Sequence, residues 1–275
     1  LGLGISLPHF IVNGFLGKDR VTVRPIASPM RMIRSLDYRW VPQIDETAIA
    51  GIILDLDDTV LDLKSWILEK LKVFWTHQAA ILPPYAEFMT VALSLLEEGF
   101  QRTLLDELWR RFNLAGAPTP EEFIQCYRNA IPERISIIPG VEDFVSRIRE
   151  SGRKVALVSN GTSAAQRQKL NALSIDFDAI LISEERGVEK PSGEIFKGAA
   201  QEIGLELSTT ISCGDNLYRD AIGAVAAGCA YGFHIGRNGG IFSHSASRLS
   251  EIDLSLNERV FQIRELRELG RILKV

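Results

Sequence analysis

The sequence predicts an α/β protein, a three-layer, doubly wound parallel sheet with an inserted α-helical domain. Beyond Pro139-Gly140, short apolar strands alternate with amphipathic helices, which is the pattern of a parallel sheet covered on both faces. The run IAGIILDLDD at residues 49–58 is apolar on both faces and then abruptly acidic, which indicates a strand buried in such a sheet. Residues 62–137, between these two parts, show helical periodicity throughout.

The first element is an extension, residues 1–45, whose charge differs from that of the rest. It holds six Lys/Arg and three Asp, and since the chain as a whole carries −4, this local +3 leaves −7 for the remainder. Four prolines interrupt the extension, and only VTVRPI at residues 21–26 predicts a strand. We assign the extension no function.

Helices follow the first buried strand. Apolar residues recur at helical spacing in WILEKLKVFW, YAEFMTVALSLLEEGF and RTLLDELWRRF, which are separated by Pro83-Pro84 and NLAGAP. Thr119-Pro-Glu-Glu122 is a capping box with proline at the first helical position, so a further helix should begin there. The predicted division is an extension at 1–45, a sheet domain at 46–61 and 138–275, and a helical domain at 62–137.

The C-terminal half supplies the alternating elements. VEDFVSRIRES, SAAQRQKLNAL, PSGEIFKGAAQEIG and YRDAIGAVAAG predict helices, and RKVALVSN, AILIS, TTISCG and AYGFHI predict the strands between them. ERVFQIRELRELGRIL predicts a final amphipathic helix.

Composition excludes several classes of protein. In a chain of 275 residues, 46% hydrophobic and 24% charged residues exclude disorder and rod-like folds. The net charge of −4 argues against nucleic acid as a partner, and no stretch of about 20 apolar residues predicts a membrane span. Three widely spaced cysteines without CxxC argue against disulfides and zinc, so we expect a cytoplasmic protein. The oligomeric state stays open.

Polar residues follow three of the predicted strands, where ligands of parallel α/β folds bind. The groups are Asp55, Asp57, Asp58 and Thr59; Ser159, Asn160 and Gly161; and Gly214, Asp215, Asn216 and then Asp220. Lys190 lies directly before a proline and a helix start, which leaves its ammonium free to reach inward.

These residue types point to phosphoryl transfer. Carboxylates that crowd together require a cation among them, and oxygen ligands suit Mg²⁺. A lysine and a hydroxyl at a helix start suit a phosphate dianion. A carboxylate nucleophile with a second carboxylate two residues further on supplies covalent transfer and a proton shuttle.

In their order and spacing, DLDDT at 55–59, Ser159 after an apolar strand, Lys190 before proline and GDNLYRD at 214–220 resemble the four motifs of the haloacid dehalogenase-like (HAD) superfamily. The resemblance covers residues 47–275. It implies a Rossmann-like core, and the helical insertion is similar to the helical cap of the family's C1 type.

The resemblance also implies roles for individual residues. Asp55 would be the nucleophile, and Asp57 the acid/base that also offers its backbone carbonyl to Mg²⁺. Asp215 would complete the metal site, with Asp220 behind it. Phosphate would be bound by Thr59, Ser159, Asn160 and Lys190.

Asp57 separates the reactions of the superfamily, because dehalogenases generally lack an acid at this position. The resemblance therefore favours a Mg²⁺-dependent phosphatase that hydrolyses a small-metabolite phosphate ester through an aspartyl-phosphate. Two alternatives stay open: a sugar phosphomutase with the same motifs, and a non-catalytic module that binds a phosphorylated ligand or a protein.

Overall fold

The structure, a computed structural model, describes residues 30–33, 39–42, 44–100, 103–114, 118–133, 135–236 and 258–275. The chain divides into two compact units, Leu1–Ile44 and Asp45–Val275. In the first unit, β1 (Met30–Ile33) pairs in antiparallel fashion with β2 (Arg39–Pro42).

This hairpin differs from the prediction for the extension. The predicted strand VTVRPI lies outside the described residues. The two strands that the structure does contain were not predicted, and the expectation that VTVRPI is the only strand of the extension is wrong. MRMI holds three apolar residues and one basic residue without regular alternation, and four residues in a proline-interrupted stretch are too few to stand out.

Within the described residues, the second unit is built on six parallel strands in the spatial order β5-β4-β3-β6-β7-β8. The chain runs outward from β3 to β5, returns, and runs outward from β6 to β8, so the winding reverses beside β3. The strands are β3 (Gly51–Leu54), β4 (Lys154–Ser159), β5 (Ala179–Ile182), β6 (Thr210–Gly214), β7 (Tyr231–Ile235) and β8 (Val260–Ile263).

Between β3 and β4, the part of the chain that the structure describes contains four helices, which we call the inserted helical segment: α1 (Leu63–Gln78), α2 (Tyr85–Glu97), α3 (Leu104–Arg111) and α4 (Pro120–Asn129). They have an apolar core of their own, in which the Phe74 ring meets that of Phe123 edge-on at 4.8 Å between centroids. Helix α4 starts with the predicted capping box, because the Thr119 hydroxyl accepts from the Glu122 amide and the Glu122 carboxylate accepts from the Thr119 amide.

The two chain connections between this segment and the sheet lie side by side. The Asp62 amide donates to the Ser136 carbonyl at 2.9 Å, and the Ile138 amide donates to the Val60 carbonyl at 2.9 Å. The segment is thus joined to the sheet through a short paired link. The predicted domain boundaries, 46–61 with 138–275 and 62–137, stay a prediction.

Helices cover both faces of the sheet: α5 (Val141–Glu150), α6 (Ser163–Leu170), α7 (Ser183–Arg186), α8 (Gly193–Glu202), α9 (Gly223–Ala227) and α10 (Leu266–Ile272). Helix α8 packs on β3, β4 and β5 through Ile195 and Phe196, against Ile53. Ile52 and Leu54 point to the opposite face and are fully buried, and α5 packs against β4 and α10. The predicted doubly wound α/β fold is confirmed.

Two predicted helices differ in detail. The final helix is wrong over its first half, because Val260–Ile263 is a strand that pairs with β7, and only Leu266–Ile272 is helical. The apolar residues at 260, 261, 263, 266 and 269 have the spacing of a helical face. Residues 260–263 form a strand instead, because they pair with the edge of β7. The helix after β6 begins as a π-helix, Leu217–Ile222, before α9. None of the helices in the described ranges is long and apolar enough to cross a membrane.

Candidate active site

The candidate active site lies at the carboxyl ends of β3, β4 and β6, where the winding of the sheet reverses. Asp55 directly follows β3, Ser159 is the last residue of β4, and Asp215 directly follows β6. Because β3 pairs with β4 on one side and with β6 on the other, these three loops meet at one edge. The sheet thus brings together the polar groups that the sequence places at the strand ends.

Lys190 is the central cation of this site. Its Nζ lies 2.5 Å from Asp55 Oδ1, 2.7 Å from Asp220 Oδ1 and 2.8 Å from the Val158 carbonyl oxygen. The lysine is buried, and burial alone would lower its pKa. The carboxylates of Asp220 and Asp55 outweigh that effect and raise the pKa of Lys190, so the ammonium stays charged. The predicted inward reach of Lys190 is what the structure shows.

Asn160 holds the backbone of Lys190 in place. Its Nδ2 donates to the Lys190 carbonyl at 2.9 Å, and its Oδ1 accepts from the Lys190 amide at 2.9 Å. This pair of hydrogen bonds ties the loop after β4 to the residues that precede α8. The side chain therefore positions the lysine, and phosphate binding by Asn160 stays a prediction.

Three carboxylates converge beside Lys190. Asp55, Asp215 and Asp220 each offer an oxygen, and these three oxygens lie within 4.8 Å of one another. Burial raises the pKa of Asp55 to about 7, and the carboxylates of Asp220 and Asp57 add to the effect. Burial, together with Asp55, Asp220 and Asp58, raises the pKa of Asp215 to about 9. One lysine does not balance three carboxylates in so small a space.

The donor set fits a hard divalent cation. Carboxylate oxygens are the ligands that Mg²⁺ prefers in proteins, and a cation among Asp55, Asp215 and Asp220 would offset the mutual repulsion of these carboxylates. Asp220 is held by the Asn216 amide, which donates to its Oδ2 at 2.8 Å. A Cβ on Gly214 would lie 2.4 Å from Asp220 Cγ, so only glycine lets the carboxylate approach this strand end.

The Asp57 carboxylate is paired elsewhere. Lys169 Nζ donates to both of its oxygens at 2.7 Å, and Gln166 Nε2 lies 3.3 Å from Oδ2. The resemblance predicts that Asp57 binds the metal through its backbone carbonyl. In the structure, its side chain contacts α6. Sequence reasoning missed Lys169 and Gln166. A signal was present, because these two residues, three apart on α6, are its buried positions and both are polar.

The two hydroxyls of the predicted phosphate site are enclosed. Thr59 is fully buried and its Oγ1 has no hydrogen-bond partner among the residues that the structure describes. Ser159 is 1% exposed. Thr59 lies on the loop after β3 and Ser159 is the last residue of β4, and their binding of phosphate stays a prediction.

The inserted helical segment contacts the same helix that binds Asp57. Lys70 Nζ on α1 donates to the Arg128 carbonyl at 3.1 Å and to Oε1 of Gln168 on α6. Its ammonium also lies 5.1 Å from the centre of the Tyr127 ring. Burial, with a contribution from Lys169, lowers the pKa of Lys70 to about 8.

Fold and site together define a parallel α/β protein with a buried carboxylate–lysine pair and a cluster of three carboxylates at the strand ends. The family model described as haloacid dehalogenase-like hydrolase matches residues 49–228. The chain therefore belongs to the HAD-like hydrolases, as the motifs predict, and it is an enzyme of that family.

Curated relatives and solved structures agree with this assignment. The chain is 30% identical to a glyceraldehyde 3-phosphate phosphatase of Pyrococcus abyssi over 66% of this chain and 79% of that protein. It is 30% identical to the pyrimidine 5'-nucleotidase YjjG of Escherichia coli over 57% of this chain and 68% of that protein. A structure of YfnB from Bacillus subtilis, described as a HAD-hydrolase bound to magnesium, superposes with a TM-score of 0.59. Its identity is 22%, covering 82% of this chain and 99% of that one, so it supports the fold.

Proposed function

We propose that the protein is a Mg²⁺-dependent phosphatase that hydrolyses a small-metabolite phosphate monoester through an aspartyl-phosphate on Asp55. The observation that carries the proposal is the convergence of Asp55, Asp215 and Asp220 beside Lys190, with the Asp57 carboxylate held separately. The names of the relatives support the same class, since a glyceraldehyde 3-phosphate phosphatase and a nucleotidase both act on phosphate esters.

In the first step, an oxygen of Asp55 attacks the substrate phosphorus while the bond from phosphorus to the ester oxygen breaks. The leaving oxygen takes a proton from Asp57, which gives the free alcohol and the aspartyl-phosphate. Lys190, 2.5 Å from Asp55, orients the nucleophile and balances charge on the phosphoryl oxygens.

In the second step, the Asp57 carboxylate takes a proton from a water molecule whose oxygen attacks the phosphorus. The bond between Asp55 and phosphorus breaks, inorganic phosphate leaves, and Asp57 is again protonated for the next turnover. Atoms and protons balance over the two steps. Proton transfer requires that the Asp57 carboxylate does not join the carboxylates of Asp55, Asp215 and Asp220 as a metal ligand. The ion pair between Asp57 and Lys169 is consistent with that requirement.

Mg²⁺ would be held by Asp55 and Asp215, with the Asp57 backbone carbonyl as a third ligand and Asp220 supporting the site through Lys190 and the Asn216 amide. When bound, it supplies charge neutralisation between the nucleophile and the phosphoryl oxygens. Thr59 and Ser159 would donate to those oxygens from the two adjacent loops.

We further propose that the inserted helical segment is a cap over this site. Two contacts support this proposal: Gln168 on α6 accepts a hydrogen bond from Lys70 on α1 and donates one to the Arg128 carbonyl on α4. Helices α1 and α4 therefore contact the helix that binds Asp57. A cap in this position excludes water during transfer and contacts the leaving group.

The test is release of inorganic phosphate from a panel of phosphate esters, with Mg²⁺ and with EDTA. Wild type should turn over at least one ester in Mg²⁺, and Asp55→Asn, which is nearly isosteric, should not. Asp143→Asn is the matched control, because Asp143 lies exposed on α5 and pairs with Arg147. Turnover that survives either EDTA or Asp55→Asn would refute the mechanism, and ester binding without turnover would favour a binding module.

A further inference from the structure

Two buried lysines pair with three carboxylates of the site. Lys190 contacts Asp55 and Asp220, and Lys169 contacts Asp57. The side chain of Lys169 is 9% exposed, and its Nζ lies 2.7 Å from both oxygens of Asp57. Burying a lysine is unfavourable unless its charge is paired, so this contact with Asp57 accounts for the position of Lys169.

Gln166 fixes the same carboxylate from a second direction. Its Nε2 lies 3.3 Å from Asp57 Oδ2 and donates to the Asn160 carbonyl at 2.9 Å, which joins Asp57 to the loop after β4. The close approach needs Gly161, where a Cβ would lie 2.5 Å from Gln166 Nε2 and where φ is +148°. Gln166 and Lys169 share one face of α6, so one rigid element holds Asp57.

Without this hold, Asp57 has a competing partner. It lies two residues after Asp55, on the same loop after β3, so its carboxylate is close in the chain to a proposed ligand of the cation. A cation placed among Asp55, Asp215 and Asp220 would attract a fourth carboxylate, and the proton shuttle would then become a metal ligand.

We propose that Lys169 is a positioning residue that keeps the Asp57 carboxylate out of the metal cluster and directed toward the leaving oxygen, with Gln166 as its support. The inference rests on the proposed function, because it assigns Asp57 the proton transfer. It goes beyond the family motifs, because α6 lies outside all four of them.

The experiment compares kcat/KM for two esters that differ in their need for an acid. The phenolate of p-nitrophenyl phosphate leaves without a proton, whereas an alkoxide requires one. We expect Lys169→Met to lower kcat/KM by about 10² or more for the alkyl phosphate that wild type hydrolyses fastest, in line with the usual contribution of acid catalysis. For p-nitrophenyl phosphate the loss should stay under about tenfold, since no acid contributes there.

Three controls separate positioning from damage to the fold. Lys169→Arg should restore most of the alkyl-ester activity, because the guanidinium also binds both carboxylate oxygens. Arg167→Met removes a cation from the same helix, one that pairs with Glu185, and should leave both activities unchanged. In an Asp57→Asn background, Lys169→Met should cause no further loss.

Equal losses on the two esters, or a further loss in the Asp57→Asn background, would overturn the proposal. A wild type that hydrolyses neither ester would refute the proposed function, and Mg²⁺ binding by calorimetry then tests Lys169 alone. Lys169→Met should bind Mg²⁺ at least about threefold more tightly, because a further carboxylate becomes available as a ligand. Unchanged affinity would overturn the inference.

Discussion

Replacing the proposed nucleophile should stabilise the metal-free protein while it abolishes activity. Asp55→Asn removes a buried carboxylate whose pKa is raised to about 7, and leaves a neutral side chain of nearly the same shape. Burial and the carboxylates of Asp220 and Asp57 destabilise the ionised form of Asp55. Together these effects outweigh the stabilising attraction of Lys190.

The size of the effect follows from the pKa of Asp55 in the folded and the unfolded chain. A raised carboxylate pKa gives stability that is fully present below 3.8 and is lost as pH rises through about 7. At about 1.4 kcal/mol per pH unit, the raised pKa lowers the free energy of unfolding by about 2 kcal/mol at pH 5, where Asp55 ionises only in the unfolded chain. At pH 8, where it ionises in both states, the loss is about 4–5 kcal/mol. The asparagine carries no such penalty. Its loss of charge also relieves Asp215, whose raised pKa has Asp55 as the second cause after burial.

The assay is urea unfolding in EDTA at pH 5 and pH 8, for wild type, Asp55→Asn and the exposed control Asp143→Asn. The stability of Asp55→Asn relative to wild type should rise by about 3 kcal/mol between the two pH values, whereas that of the control should stay constant. Saturating Mg²⁺ should reverse the order, because only the wild type retains the full ligand set. A difference in EDTA that shrinks or changes sign at pH 8 would refute the reasoning.

Three further predictions concern single contacts. Lys190→Met leaves buried carboxylates without their cation, and metal-free thermal unfolding at pH 8 should show a loss of about 3–5 kcal/mol; an unchanged Tm would contradict this. Gly214→Ala places a Cβ 2.4 Å from Asp220 Cγ, so Mg²⁺ affinity measured by calorimetry should fall; Gly198→Ala, where the nearest atom is at 3.4 Å, should leave it unchanged. Thr119→Ala removes the side-chain half of a capping box and should lower the free energy of unfolding by about 1 kcal/mol without changing kcat, whereas a change in kcat would show that α4 acts in the reaction.

The sequence by itself determined the sheet and the groups at its edge. Strands buried on both faces need continuous apolar runs, and the first polar residue after such a run must lie at the edge of the sheet. That constraint placed Asp55, Ser159 and Asp215 at the carboxyl ends of their strands, whereas the pairing of β3 with β4 and with β6 made these strand ends neighbours. The proline after Lys190 argued against a helical backbone at the lysine and therefore predicted a side chain that is free to reach inward. The capping box at Thr119 is equally local, since both of its hydrogen bonds join residues three apart.

Tertiary structure alone decided which partner each polar group takes. Lys169 and Asp57 are 112 residues apart, and no local periodicity records a contact over that distance. The same holds for Val260–Ile263, whose apolar spacing fits a helix until β7 offers an open edge. Asp57 and Asp220 are both acidic residues near strand ends, yet one binds Lys169 and the other Lys190. Local sequence determines which residues lie at the edge of the sheet. The packing of the helices determines which buried lysine each of these carboxylates contacts, because the lysines are far from the carboxylates in sequence.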